Sequence, residues 1–218
     1  WALDPVWTLL PGDRSYLTSD ANHYQRGIDY NPVTQNLLLV NRAGGLSVAV
    51  LDGATGADEG TLNLGSGLVT GGTYAGSMIS VADDGAIFMA NLTLNATTSP
   101  FKMYRWADEG ATPTLAFSGD PSPDIALGGS NSKRFGDTLD VRGSGLNTEV
   151  LITARGGGEA ALLTTADGTT FTGAGVNTDA GVNPADNSSD IGLGVAFGSG
   201  DTVWGPAVGR SLRLIALN

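Results

Sequence analysis

One local pattern recurs four times along this chain: a short apolar strand, a tight turn of Gly, Asp or Asn, and a second strand. The copies occupy residues 26–41, 77–91, 137–154 and 192–204, and anchors at Ile28, Ile79, Leu139 and Val195 fall 51, 60 and 56 residues apart. A repeat of roughly 40–50 residues that encodes strands and no helix predicts the blades of a β-propeller. A propeller builds a site at one mouth of its central channel, from the segments that lead into each inner strand. The recurrence therefore predicts an all-β fold in a single domain, 1–218, of four blade-like units at approximately 24–66, 74–118, 135–173 and 190–218.

The fourth unit shows strands at 193–197, 202–204 and 211–217 and is one strand short. Residues 6–10 are strand-like and end at Pro11-Gly12, so they offer the missing strand and a closed ring. The alternative is a partial propeller with an open edge. Within the other units the loops 52–56, 83–85 and 167–168 carry the Asp and Gly that hairpins require. The polar stretches 119–133 and 173–190 are long for a compact domain, and both lead into an inner strand.

Composition narrows the function classes. The 33 glycines in 218 residues are about twice the ordinary share of ~7%, which suits many tight turns, and the apolar strands between them oppose disorder. A net charge of −11 repels phosphate backbones and anionic head groups, which excludes nucleic acid as a partner. No run of 18 apolar residues is present, so no membrane-spanning helix is expected. With no cysteine, disulfides, thiolate chemistry and cysteine-ligated zinc are excluded. A chain that opens on Trp1 rather than Met reads as processed or excised, and few charges among much Thr, Ser, Asn and Gly suggest an extracellular bacterial protein.

Residues 26–32, 80–85, 100–106, 134–143 and 192–198 resemble a family of uncharacterised secreted bacterial domains with a propeller-like pattern, found in large surface-associated proteins. The stretch 134–143, Arg-Phe-Gly-Asp-Thr-Leu-Asp-Val-Arg-Gly, is the most specific part, and the likeness runs from about Arg26 to Leu217. It implies a secreted or cell-surface location and a propeller architecture, and it carries no activity. Members of that family extend further, with more blades, which sets an open partial propeller against a ring closed by residues 6–10.

The segments before the inner strands hold the candidate site. His23, Arg26, Tyr74, Arg134 and Asp137 would converge at one mouth of the channel despite their separation in sequence. Two guanidiniums in an acidic protein could clamp a carboxylate or sulfate in bidentate fashion; equally, each could bridge blades by pairing with Asp29, Asp137 or Asp140. His23 is the sole histidine, and Ser15, Ser19 and Ser77, the nearest formal nucleophiles, sit in no G-x-S-x-G elbow, so a triad is poorly supported. Four glutamates at outer or edge positions argue against a Glu-based glycosidase. No cofactor is expected beyond Ca²⁺, for which Asp186, Asn187 and Asp190 offer oxygen ligands, unless they serve as ordinary turn formers. Trp and Tyr side chains could stack on sugars, whereas Trp106 and Trp204, inside strand patterns, are expected in the core.

These readings converge on an extracellular binding or assembly module, with polysaccharide or a surface protein as partner. A carbohydrate-active hydrolase or lyase is the alternative, and a fibre subunit that self-associates through an open edge is a third.

Overall fold

The structure, a computed structural model, describes residues 4–19, 22–124, 133–155, 159–177, 193–206 and 212–216. These form an all-β fold of four separate antiparallel sheets, with a 3-10 turn at Gly145–Asn147 and no α-helix among the described residues. The first sheet is a meander of β1 (Gln25–Tyr30), β2 (Asn36–Asn41), β3 (Ser47–Asp52) and β4 (Asp58–Thr61). The second repeats the order with β5 (Tyr74–Val81), β6 (Ile87–Leu92), β7 (Phe101–Trp106) and β8 (Thr114–Gly119). The third holds β9 (Asp140–Arg142), β10 (Glu149–Thr153), β11 (Glu159–Thr165) and β12 (Phe171–Asn177). The fourth has three strands, β13 (Ala196–Phe197), β14 (Thr202–Pro206) and β15 (Leu212–Ala216). The four expected units are thus four sheets, and the polar stretch from 173 begins as strand, since β12 runs to Asn177.

Side chains on a strand alternate between faces, so a sheet covered on both sides must be apolar at consecutive positions. β6 meets that requirement, being buried at all six residues. Ile87 and Met89 pack toward the first sheet, against Leu38, Val40, Val48 and Val50. Phe88 and Ala90 point the other way and join Phe135, Val150, Ile152, Leu163 and Phe171 of the third unit. Phe88 meets Phe171 edge-on, with ring centroids 5.5 Å apart. A third, smaller cluster of Leu151, Ala160 and Val203 joins the third sheet to the fourth.

The first strands of successive sheets lie beside one another: β1 against β5, β5 against β9, and β9 against β13. Carboxylates join them at matching repeat positions. Asp29, one residue after the Ile28 anchor, accepts the Val81 amide at 2.8 Å and the Ser80 hydroxyl at 2.9 Å. Asp140, one residue after Leu139, accepts the Phe197 amide at 2.6 Å. Between the second and third sheets the junction uses turns instead, with the Gly143 and Gly145 amides donating to Asp83 and Asp84.

Residues 6–10 are not a strand and join no sheet, contrary to the expected ring closure. They lie against the first sheet, not the fourth. The Trp7 indole N–H donates to the Gly53 carbonyl at 3.0 Å, and its ring fills the slot over Gly56, which lacks a side chain and holds φ at +71°. Arg14 and Tyr16 follow, both bonded to the Asp58 carboxylate on β4. The side-chain needs of Trp7, Arg14 and Tyr16 thus outweigh the strand propensity of a short apolar run flanked by Pro5 and Pro11.

Candidate functional site

Irregular backbone at the start of two inner strands positions the site. The register of β1 against β2 shifts between Gln25 and Ile28, and that of β5 against β6 shifts between Tyr74 and Met78. Bulges of this kind bend a strand and re-aim its side chains. They fall at corresponding places in the first two repeats, on Arg26 and just after Tyr74. Arg42 follows β2 directly and lies across from Tyr24, whose carbonyl accepts the Arg42 amide at 3.1 Å.

The third unit supplies the carboxylate. Phe135 is fully buried and bridges to Thr93 of the second unit, which anchors the segment. Gly136 then adopts φ +100° with no room for a side chain against the Asn91 carbonyl. This turn brings Asp137 back on Arg134. The pair is bidentate, with Nε to Oδ2 at 2.6 Å and Nη2 to Oδ1 at 2.9 Å. Arg26 approaches the same carboxylate, its Nη2 3.5 Å from Oδ1. The Asp137 side chain is almost wholly buried, whereas the two arginines keep roughly a quarter of their surface in solvent.

Arg42 completes the cluster and was not foreseen from the sequence. Its guanidinium stacks over the Tyr74 ring, 3.8 Å from the centroid, and its Nε donates to the Gly76 carbonyl at 3.0 Å. Burial draws this guanidinium down to about 10, and the nearby charge of Arg26 pushes the same way against Tyr74 and Asp137. Arg42 makes no ion pair among the described residues. The signal for it lay in the strand register, since any residue immediately after β2 must oppose the segment that enters β1.

A cleft of about 440 Å³ opens beside this cluster, lined by Asn22, Tyr24, Arg42 and Leu46 and by the run from Thr73 to Gly76. Of the residues expected at the mouth, Arg26, Arg134 and Asp137 meet directly, and Tyr74 joins them through Arg42. His23 is exposed, between the lining residues Asn22 and Tyr24, with φ +54°, and does not itself line the cleft. Of the two arginines expected there, Arg134 pairs with Asp137 within its own segment and Arg26 reaches the same carboxylate from the first unit, while Arg42 lines the cleft.

The remaining candidates fall elsewhere. Ser77 is fully buried, out of reach of a substrate. Lys133, which ends the polar stretch 119–133, is buried too, and its ammonium is held by Asp120 at 2.8 Å and the Ser122 carbonyl at 2.5 Å. Trp106 is in the core, with its indole N–H on the Asn63 carbonyl at 2.6 Å. Trp204, expected in the core, is instead 41% exposed, because no described sheet lies against that face of the fourth sheet. Asp186, Asn187 and Asp190 lie outside the described residues, and no group of three or more metal-binding side chains occurs among those described. No described helix is long and apolar enough to cross a membrane.

No protein-family model and no curated protein matches this chain. A crystal structure of a DUF4623 family protein from Bacteroides eggerthii is similar to it, with a TM-score of 0.66 at 18% sequence identity, over 88% of this chain and 43% of that one. The chain thus spans less than half the length of that protein. At this identity the likeness is one of fold, and it accords with the resemblance to an uncharacterised bacterial domain family.

Proposed function

We propose that this chain is an extracellular or cell-surface binding module, that its four sheets are successive blades of a β-propeller, and that carbohydrate binds in the cleft beside Tyr74. The cleft carries this reading. Its volume lies within the range of about 300–1,000 Å³ usual for small-molecule sites. Two tyrosines, Tyr24 and Tyr74, provide amphipathic rings of the kind that stack on sugar faces, beside the polar Asn22 and Thr73. Binding is favoured over hydrolysis by what lines the cleft: no carboxylate is among its described lining residues, and glycoside hydrolysis needs two. Asp137 is committed to Arg134.

The test is retention of soluble polysaccharides in affinity electrophoresis, followed by calorimetry on those retained. Tyr74→Ala should weaken binding about tenfold or more, given the ~1–3 kcal/mol that an aromatic contact of this kind supplies. Release of reducing ends by the wild-type chain would move the assignment to the hydrolase or lyase reading. Assembly is a second reading, favoured by apolar residues on the outer faces of the first and fourth sheets: Ile28 and Tyr30 at one end, Trp204 and Leu214 at the other.

A further inference from the structure

Among the described residues the charges at the cleft do not balance. Three guanidiniums, Arg26, Arg42 and Arg134, gather around one carboxylate, Asp137, in a chain whose formal charge is −11. Arg134 already holds both oxygens of Asp137, and Arg26 reaches it only at 3.5 Å. Among the described residues Arg42 is the one arginine that lines the cleft, and it has a π partner and a carbonyl but no anion. One N–H nitrogen on each of Arg26 and Arg42, Nε and Nη2 respectively, is buried without a hydrogen-bond partner. A partly buried cation without a counter-charge is costly, and Arg42 is held in place by the Tyr74 ring and the Gly76 carbonyl rather than by an anion of its own, while Arg26 has only a share of Asp137.

From this excess we infer that the cleft selects an acidic saccharide, and that the carboxylate or sulfate of the sugar is bound by Arg42 with Arg26 behind it. The inference rests on the carbohydrate reading of the same cleft and adds the charge of its ligand. Guanidinium suits the task because its planar fork matches the two oxygens of a carboxylate or sulfate. Tyr74 has two roles in this arrangement. Its ring holds the Arg42 guanidinium flat and borders the space a pyranose would occupy. The acidic surface elsewhere makes the cleft a positive exception, which disfavours anions at other places on the molecule.

The experiment uses the full 218-residue chain with a uronic-acid oligosaccharide, its carboxyl-reduced neutral counterpart, and sodium sulfate. Binding is read by calorimetry and by the NMR signals of the arginine Nε–H groups. The acidic sugar should bind at least about tenfold more tightly than the neutral one, as a charge-assisted hydrogen bond implies. Arg42→Met should abolish that preference, and Arg42→Lys, which keeps the charge, should retain part of it. Sulfate alone should shift the Arg42 Nε–H signal. Equal binding of both sugars, unaffected by Arg42→Met, overturns the charge inference and leaves the carbohydrate reading standing. A sulfate response at Arg42 with neither sugar bound keeps the anion site and overturns the carbohydrate reading. No response to any of the three overturns both.

Discussion

Single carboxylates with several donors set much of the local structure. Asp52 and Asp167 both open the loop between the last two strands of a sheet, and both have a threonine three residues on. Asp52 accepts the Thr55 amide and hydroxyl, each at 2.7 Å, and Asp167 accepts the Thr169 and Thr170 amides at 2.7 Å and the Thr170 hydroxyl at 2.7 Å. Donors on the ionised form hold both carboxyls below the usual range, the Thr55 hydroxyl contributing most at Asp52 and the Thr170 amide most at Asp167. A depressed folded-state value adds stability above the unfolded value near 3.9, and that stability is lost as pH falls. Asp167→Asn should therefore lower the urea midpoint at neutral pH and make the loss of stability below about pH 5 shallower. An acid limb parallel to that of wild type would show that the turn contributes nothing. Asp140 has the opposite sign, since burial raises its carboxyl. Its contribution is present at low pH and declines as pH rises through the folded value.

At the scale of the element, coverage decides what a strand must contain. β6 is covered on both faces and is buried throughout, whereas β4, at an outer edge, is exposed at all four residues. Substitutions should follow that contrast. Phe88→Ala removes a fully buried ring at the junction of the second and third sheets and should cost about 3–5 kcal/mol in urea unfolding. Leu115→Ala, on β8 with the side chain 42% exposed, should cost less than about 1 kcal/mol. Similar losses at the two positions would mean that the sheets are not packed as the buried clusters require. The pattern of β6 in sequence, Ile-Phe-Met-Ala-Asn-Leu, is apolar at five of six positions, four of them consecutive, which marks a strand buried on both sides. The exposed β4, Asp-Glu-Gly-Thr, has no apolar residue by which to place it, and its position came only from its pairing with β3.

At the scale of the whole molecule, the two ends of the sheet series are where association would occur. Ile28 is 57% exposed although Ile79 and Leu139, at the matching repeat positions, are buried, because no described sheet lies against that face of β1. Trp204 and Leu214 are cross-strand partners on the outer face of the fourth sheet, and both are exposed. The assembly reading takes these exposed apolar residues as the contact surface. If they drive assembly, sedimentation velocity should show the chain associating between micromolar and millimolar concentration, and Trp204→Arg should keep it monomeric. A wild-type chain that stays monomeric throughout would remove assembly from its functions.

The sequence by itself determined the number of repeat units, the all-β class and most of the turns. These follow from alternation, apolar runs and the Asp, Asn and Gly positions that tight turns need, all of which act over a few residues. It also brought Arg26, Arg134 and Asp137 into one list, through their common position ahead of inner strands. Only the tertiary structure decided how those charges are shared: Arg134 takes the carboxylate, Arg26 stands at its edge, and Arg42 turns to Tyr74 and the cleft. It also sent residues 6–10 to the first sheet, through the fit of Trp7 over Gly53 and Gly56. The reason is the same in both cases. A contact between side chains from different sheets depends on distances that no local pattern encodes, and here a bulge, a positive-φ glycine and a strand register set them.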